Sequence, residues 1–253
     1  MHRNLTIGLI CAALLTVAHP GLSQEADGVA PHRITVQIVP GIQSSLELPT
    51  PELVNARKAL AAGRPILTSD LRAMADMGDG FSALRFAQWL ETQENAQSRD
   101  LAHYYGIAAA TGRGGAIGNM IIALERIPPE NLGPVRRKVM RDILLAYARA
   151  GNTLAIDALF QFHTQGTPFG SLENELLEIA GQVQGETAAE LSLKTAVMLL
   201  DKPAPSETDL ERTAALLETA MNAETLTTRL TAQNLLPLME SLRAEPSAME
   251  VTQ

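Results

Sequence analysis

A short pattern recurs along this chain at a nearly constant interval. A small residue is followed three positions later by glycine and seven later by a second small residue. Apolar residues then stand four and eight positions beyond that. The pattern occurs as Ala75, Gly78, Ser82, Phe86 and Leu90, and again as Ala109, Gly112, Ala116, Met120 and Leu124. A third copy is Ala148, Gly151, Ala155 and Leu159, with His163 in the last place. A fourth keeps Gly185, Ala189, Leu193 and Val197 but has Gln182 in front. The glycines are 34, 39 and 34 residues apart, and the longer interval contains the run Pro128-Pro129-Glu130-Asn131-Leu132-Gly133-Pro134, which reads as a loop insertion. A glycine can take the left-handed backbone that ends a helix. The next helix then starts at once, presents a small residue where two backbones meet, and buries its i+4 and i+8 residues on one face. One such pair cannot bury its apolar face alone, so the pairs must stack.

Strand signals are nearly absent from the rest. Aromatic residues make up only 4% of the 253, against 46% for all apolar types, so the apolar content lies in helix-forming Ala and Leu. Thr50-Pro51-Glu52 opens the first helix of the repeat region. A final helix pair, Ser206 to Asn222 and Glu224 to Arg243, lacks the glycine signature, as an end unit of a stack can. The exception is Ile34, Val36 and Ile38, which alternate with Thr35 and Gln37 before Pro40-Gly41 and read as a short strand.

The first residues read as an export signal. His2 and Arg3 precede an apolar run from Leu5 to Ala18, and Gly21-Leu22-Ser23 offers small residues for cleavage before Gln24. The run, about 14 residues, falls short of the about 20 that a membrane span needs. Cys11 is the single cysteine and lies inside this run, where lipidation would not place it, so the mature chain carries no disulfide or thiolate chemistry. Loss of Arg3 takes the formal charge from −8 to −9, which argues against nucleic acid and anionic membranes as partners.

In the stretch Leu101, Tyr104, Ala108, Ala109, Gly112 and Ala116 the chain resembles the Sel1-like and tetratricopeptide superfamily of helical repeats, with Tyr104 where that family often carries tryptophan. The resemblance covers roughly residues 69–197. It implies stacked helix pairs and adaptor or scaffold work in larger assemblies.

The motifs that would carry catalysis fail on context. Gly112-Arg113-Gly114-Gly115-Ala116-Ile117-Gly118 suggests a phosphate loop, but such loops follow a strand, and the residues before this one are helical in pattern. His32, His103 and His163 form no HExxH or other ligand pair, and His163 fits a hydrogen-bonded turn or core residue. No Gly-x-Ser-x-Gly or Ser-x-x-Lys motif is present. Glu173, Glu175 and Glu178 suit the start of an amphipathic helix better than a glycosidase pair. Arg136, Arg137, Lys138 and Arg141 are the one dense basic cluster, a candidate docking site for an acidic partner. The unpaired strand Ile34, Val36, Ile38 is a candidate for addition to a partner's sheet edge; otherwise it lies extended along the first helices or is disordered.

The sequence therefore predicts an all-α chain, a right-handed α-solenoid of about five helix pairs behind a short extended N-terminal arm. Residues 1–23 are expected to be the signal, 24–50 the arm, 51–243 the repeat domain and 244–253 a flexible tail. The function expected is a non-enzymatic periplasmic scaffold or adaptor for a protein or peptide partner, with no cofactor, metal or small-molecule substrate. The alternatives are a structural accessory subunit of a membrane or envelope complex, and a cell-wall-associated enzyme with an unrecognised site. The exported protein should show the intact mass of a chain starting at Gln24; a membrane-bound species still carrying residues 1–23 would contradict the cleavage.

Overall fold

The computed structural model describes residues 34–244. The expected signal, its cleavage point, Cys11, His32 and the segments 24–33 and 245–253 lie outside the described residues. Among the described residues the chain is all-helical, with eleven α-helices and no strand. They are α1 (Pro51–Ala61), α2 (Thr68–Asp76), α3 (Gly80–Glu91), α4 (Ser98–Ala110), α5 (Ile117–Glu125), α6 (Pro134–Arg149), α7 (Thr153–Gln165), α8 (Glu173–Ala180), α9 (Glu186–Leu200), α10 (Glu207–Met221) and α11 (Leu226–Ala244). After α1 they follow one another as five pairs. Sequence neighbours pack within pairs, and across pairs α4 meets α6, α6 meets α8, α5 meets α7 and α9 meets α11. No helix among the described residues is long and apolar enough to cross a membrane.

Three of the repeat glycines close their helices in the same way. Gly78, Gly112 and Gly151 have φ of +87°, +91° and +81°. Each donates its amide to the carbonyl three residues back, on Ala75, Ala109 and Ala148 at 2.9, 3.1 and 2.9 Å. The next residue donates to the carbonyl five back: Asp79 to Met74, Arg113 to Ala108 and Asn152 to Tyr147, at 3.0, 2.9 and 3.0 Å. This pair of bonds satisfies two of the carbonyls that every helix end leaves open. Asp79 and Asn152 then accept amides of the following helix, from Phe81 at 3.1 Å and Ala155 at 3.0 Å. One residue thus finishes one helix and starts the next, and the pair needs no linker. Gly63, which the repeat pattern did not include, closes α1 likewise, with Arg64 bonded to the Ala59 carbonyl at 2.9 Å.

The small residues sit where the pattern requires. Ala75, Ser82, Ala109, Ala116, Ala148 and Ala155 are completely buried. Phe86, Met120, Leu124 and Leu159 are buried beside them. The fourth copy departs from this geometry. Helix α8 ends five residues before Gly185, which instead precedes α9 with φ +72° and ψ −154°, a region that essentially only glycine occupies. Val197 is exposed there and so is Gln182. The glycine is needed, but for the entry into a helix rather than the exit from one.

The insertion before α6 is a loop with a single 3-10 turn, Pro129–Asn131, anchored by the buried Leu132. The segment 44–50 is more ordered than a plain loop: Ser44 and Glu47 form a capping box around a 3-10 turn, and Leu48 packs with Leu53, Ala56 and Met74. Charges join successive pairs. Arg141 faces Glu175 at 3.6 Å, Arg149 faces Glu178 at 3.1 Å, and Lys202 lies 2.7 Å from Glu173 and 2.9 Å from Asp209. The Lys202 ammonium, with the Ser206 amide and hydroxyl, holds the Asp209 carboxyl down at about 2. All three glutamates of α8 thus have cationic partners.

A Cβ on Gly151 would meet nothing within 4 Å, so its substitution tests the backbone alone. Gly151→Ala should cost about 1 kcal/mol and lower the melting temperature by about 2–4 °C. Arg99→Ala, on the solvated surface, should stay within about 0.5 kcal/mol of wild type. A melting temperature for Gly151→Ala equal to wild type would reject the turn geometry.

Candidate functional site, a groove across α2, α4 and α6

The N-terminal arm lines one side of a cavity between helices. Ile34 to Val39 forms no strand, and the backbone bends at Ile38 and Val39, correcting the expectation from its period-2 pattern. A lone strand has no ladder partner; here the end of α4 supplies substitutes. Gln37 makes an isolated antiparallel bridge with Thr111. The Ile38 and Val39 amides both donate to the Ala110 carbonyl, at 2.8 and 3.1 Å, and the Ile42 amide donates to the Gly78 carbonyl at 3.1 Å. The arm therefore crosses two glycine turns in succession. Val36 packs on the main core and Ile34 is half-buried, while Ile38 remains 39% exposed.

This seat depends on missing side chains. A Cβ on Gly114 would collide with the Ile34 carbonyl, and one on Gly41 would stand 2.6 Å from the Gly78 carbonyl oxygen. Gly114, set aside above as part of a phosphate loop, thus has a packing role against the arm. The fully buried Tyr147 of α6 donates its hydroxyl to the Ala109 carbonyl at 3.0 Å, and the Val36 amide lies against the Tyr147 hydroxyl oxygen. Burial raises the pKa of this phenol, so it stays a neutral donor linking arm, α4 and α6.

Beside the arm, the C-terminal end of α2 and the facing surfaces of α4 and α6 enclose a groove of about 470 Å³. Gly106 and Ile107 of α4 and Met140 and Ile143 of α6 form its floor. Gly106 permits this closeness, because a Cβ there would lie 3.0 Å from the Met140 sulfur. Four apolar side chains around it face solvent: Ile38 and Val39 of the arm, Met77 after α2, and Val139 of α6. Exposed apolar residues gathered on one cavity, rather than scattered singly, mark an interaction surface.

Three ionisable groups line the groove. Asp76 accepts the Tyr104 hydroxyl at 2.8 Å, and that phenol is pushed up to about 12, first by burial and then by its bond to Asp76. Asp142 is paired with Lys138. His103 has its pKa lowered by burial and by nearby Arg136, against the opposing pull of Asp76 and Asp100, so it is neutral at pH 7. The groove therefore offers apolar contact, two carboxylates and a neutral imidazole. Among the described residues no three of His, Cys, Asp and Glu converge as a metal set.

The residues singled out from the sequence separate here. Ile38 forms part of the groove wall, and Ile34 and Val36 hold the arm that carries it. The basic cluster lies mainly elsewhere. Arg137 donates to the Pro129 and Leu132 carbonyls, both at 3.1 Å, and so ties down the insertion before α6. Arg141 faces Glu175, and Arg136 lies 3.8 Å from Asp100. Arg137, Lys138 and Arg141 border a cavity of about 250 Å³ with Phe169. His163 takes the turn role expected of it, its Nδ1 accepting the Leu172 amide at 3.0 Å. Met77, Ile107 and Val139 were not singled out, and His103 was considered only as a metal ligand; Val139, apolar within the polar face of α6, was the available signal.

The Ile38 and Val39 amides should exchange slowly in the isolated protein. Gly114→Ala should speed their exchange by about tenfold or more while leaving amides of α9 unchanged. Rapid exchange of both amides in the wild type would mean that the arm is not seated. Compared with models of protein families, with curated proteins and with solved structures, the chain matches none.

Proposed function

We propose that this chain is a non-enzymatic scaffold or adaptor of the periplasm that holds a segment of a protein partner in the groove across α2, α4 and α6. On this reading the five pairs wind as a right-handed α-solenoid of the Sel1-like and tetratricopeptide kind, and the signal is removed after Ser23. The observation that carries it is the gathering of Met77, Val139, Ile38 and Val39 around one cavity, from the end of α2, from α6 and from the arm. Helix-lined grooves of this sort take apolar anchors of a partner segment. Asp76 and Asp142 at the edge favour a partner with basic residues flanking those anchors. The carbonyl of Ala110 is already occupied by the arm, so the partner binds through side-chain contacts and the free rim rather than by extending a sheet.

A second reading, a structural subunit lodged permanently in an envelope complex, is favoured by the terminal helix. Leu226, Leu230 and Leu238 of α11 are each about half exposed, where a capping helix of a free-standing stack is normally polar.

Photo-crosslinking residues introduced at Val139, Leu226 and the surface control Arg99, in cells that export the protein, separate the two. The groove reading expects a discrete protein adduct from Val139, lost when Ile107→Glu is added, and none from Arg99. Adducts from Leu226 alone would replace the groove reading with the second one.

A further inference from the structure

Three guanidinium groups converge on one phenyl ring. Arg57 of α1, Arg85 of α3 and Arg113 of the turn before α5 lie over the Phe81 ring, with their central carbons 5.2, 5.4 and 5.6 Å from its centre. A ring has two faces, so at least two of these cations share one. Like charges at such separations repel, and attraction to the ring offsets only part of that.

The compensating charges are too few. Asp79, almost wholly buried, forms an ion pair with Arg57, and its remaining acceptor capacity goes to the Phe81 amide at 3.1 Å and the Ser82 hydroxyl at 2.7 Å. Arg85 donates to Gln88, which carries no charge, at 3.1 Å. Among the described residues neither Arg85 nor Arg113 has a carboxylate within ion-pair distance. The cluster therefore keeps an excess of two positive charges on a chain whose formal charge is −8. Elsewhere this protein tends to match its cations: the four of the α6 cluster stand among Asp100, Asp142 and Glu175 and the carbonyls that hold Arg137.

We propose that the Phe81 cluster is a binding site for a dianionic oxyanion, a phosphate group or a pair of carboxylates, held between Arg85 and Arg113. Both side chains are exposed and able to reach a ligand. Each guanidinium presents a planar set of donors that fits two oxygens of a phosphate or carboxylate at once. Contact with the Phe81 ring restricts both guanidinium groups in advance, which lowers the entropy lost on binding. Arg57 stays with Asp79 and supplies field rather than contacts. The site differs from the dinucleotide loop that the Gly112–Gly118 run suggested, because it uses side chains on an aromatic plate in place of a strand-to-helix turn. It is also independent of the groove, which shares none of these residues.

The test is titration of the full-length mature protein with inorganic phosphate and, separately, with succinate at matched low ionic strength, followed by calorimetry and by the Arg113 and Gly114 amide resonances. Saturable binding is expected for at least one of them. It should weaken about tenfold in Arg85→Gln and in Arg113→Gln, and remain unchanged in Arg99→Gln and in the groove variant Ile107→Glu. Binding of phosphate alone assigns a phosphoryl ligand, and binding of succinate assigns a dicarboxylate. The proposal is overturned if neither anion saturates, or if binding in the two arginine variants equals wild type. Both substitutions are at exposed positions and keep the side-chain stem, and equal melting temperatures will show that the fold is intact.

Discussion

The two hydrogen bonds that close α2, α4 and α6 at a left-handed glycine are the constraint on which the rest of this molecule depends. They end each helix within one residue, and the residue that completes the closure goes on to start the next helix at Asp79 and Asn152. At α2–α3 and α6–α7 no linker absorbs error and the turn itself sets the angle between the two helices, while between α4 and α5 a 3-10 turn, Gly114–Ala116, follows the glycine. These turns bring Ala75, Ala109 and Ala148, and with them Ser82, Ala116 and Ala155, into complete burial. A larger side chain at any of these places would have to displace a packed neighbour, a change that commonly costs about 1–3 kcal/mol.

The same turns give the arm its seat. A helix end leaves carbonyls without partners, and the arm uses the carbonyls of Ala110 and Gly78 in place of a neighbouring strand. Tyr147 reaches the adjacent Ala109 carbonyl from the next pair, so arm, turn and following pair share one small hydrogen-bonded region. The groove follows from this arrangement. Its wall is the arm, its floor is the close approach of α4 and α6 at Gly106, and its rim is whatever apolar surface neither of them covers.

Charge is distributed in two ways. Along α6, α8 and α9 it joins successive pairs, with Arg141 and Arg149 facing Glu175 and Glu178, and Lys202 between Glu173 and Asp209. Exposed pairs of this kind contribute little individually. At Phe81 the pattern is the opposite: three cations gather around one ring and a single buried carboxylate answers only one of them. Seen from the sequence, the dense run Arg136 to Arg141 looked like the available positive surface. The structure divides that run among internal partners and assembles another positive surface from Arg57, Arg85 and Arg113, which are far apart in the chain.

The sequence by itself determined the helical class, the positions of the Gly78, Gly112 and Gly151 turns, the loop at 128–134 and the end pair, because each rests on local chemistry within a few residues. Left-handed backbone, capping and i+4 periodicity are properties of short segments. That the arm is not helical was also legible from Ile34, Val36 and Ile38, but not its partner, which is a helix end rather than a strand. Gly185 shows the limit of local reasoning: a glycine in the correct register served a helix start, since the pattern registers the need for positive φ and not which helix uses it. The groove and the Phe81 cluster were invisible in the sequence. Met77, Ile107 and Val139 come from three different helices, and Arg57, Arg85 and Arg113 from three different segments. Their convergence depends on how the pairs pack on one another, and no single segment encodes that.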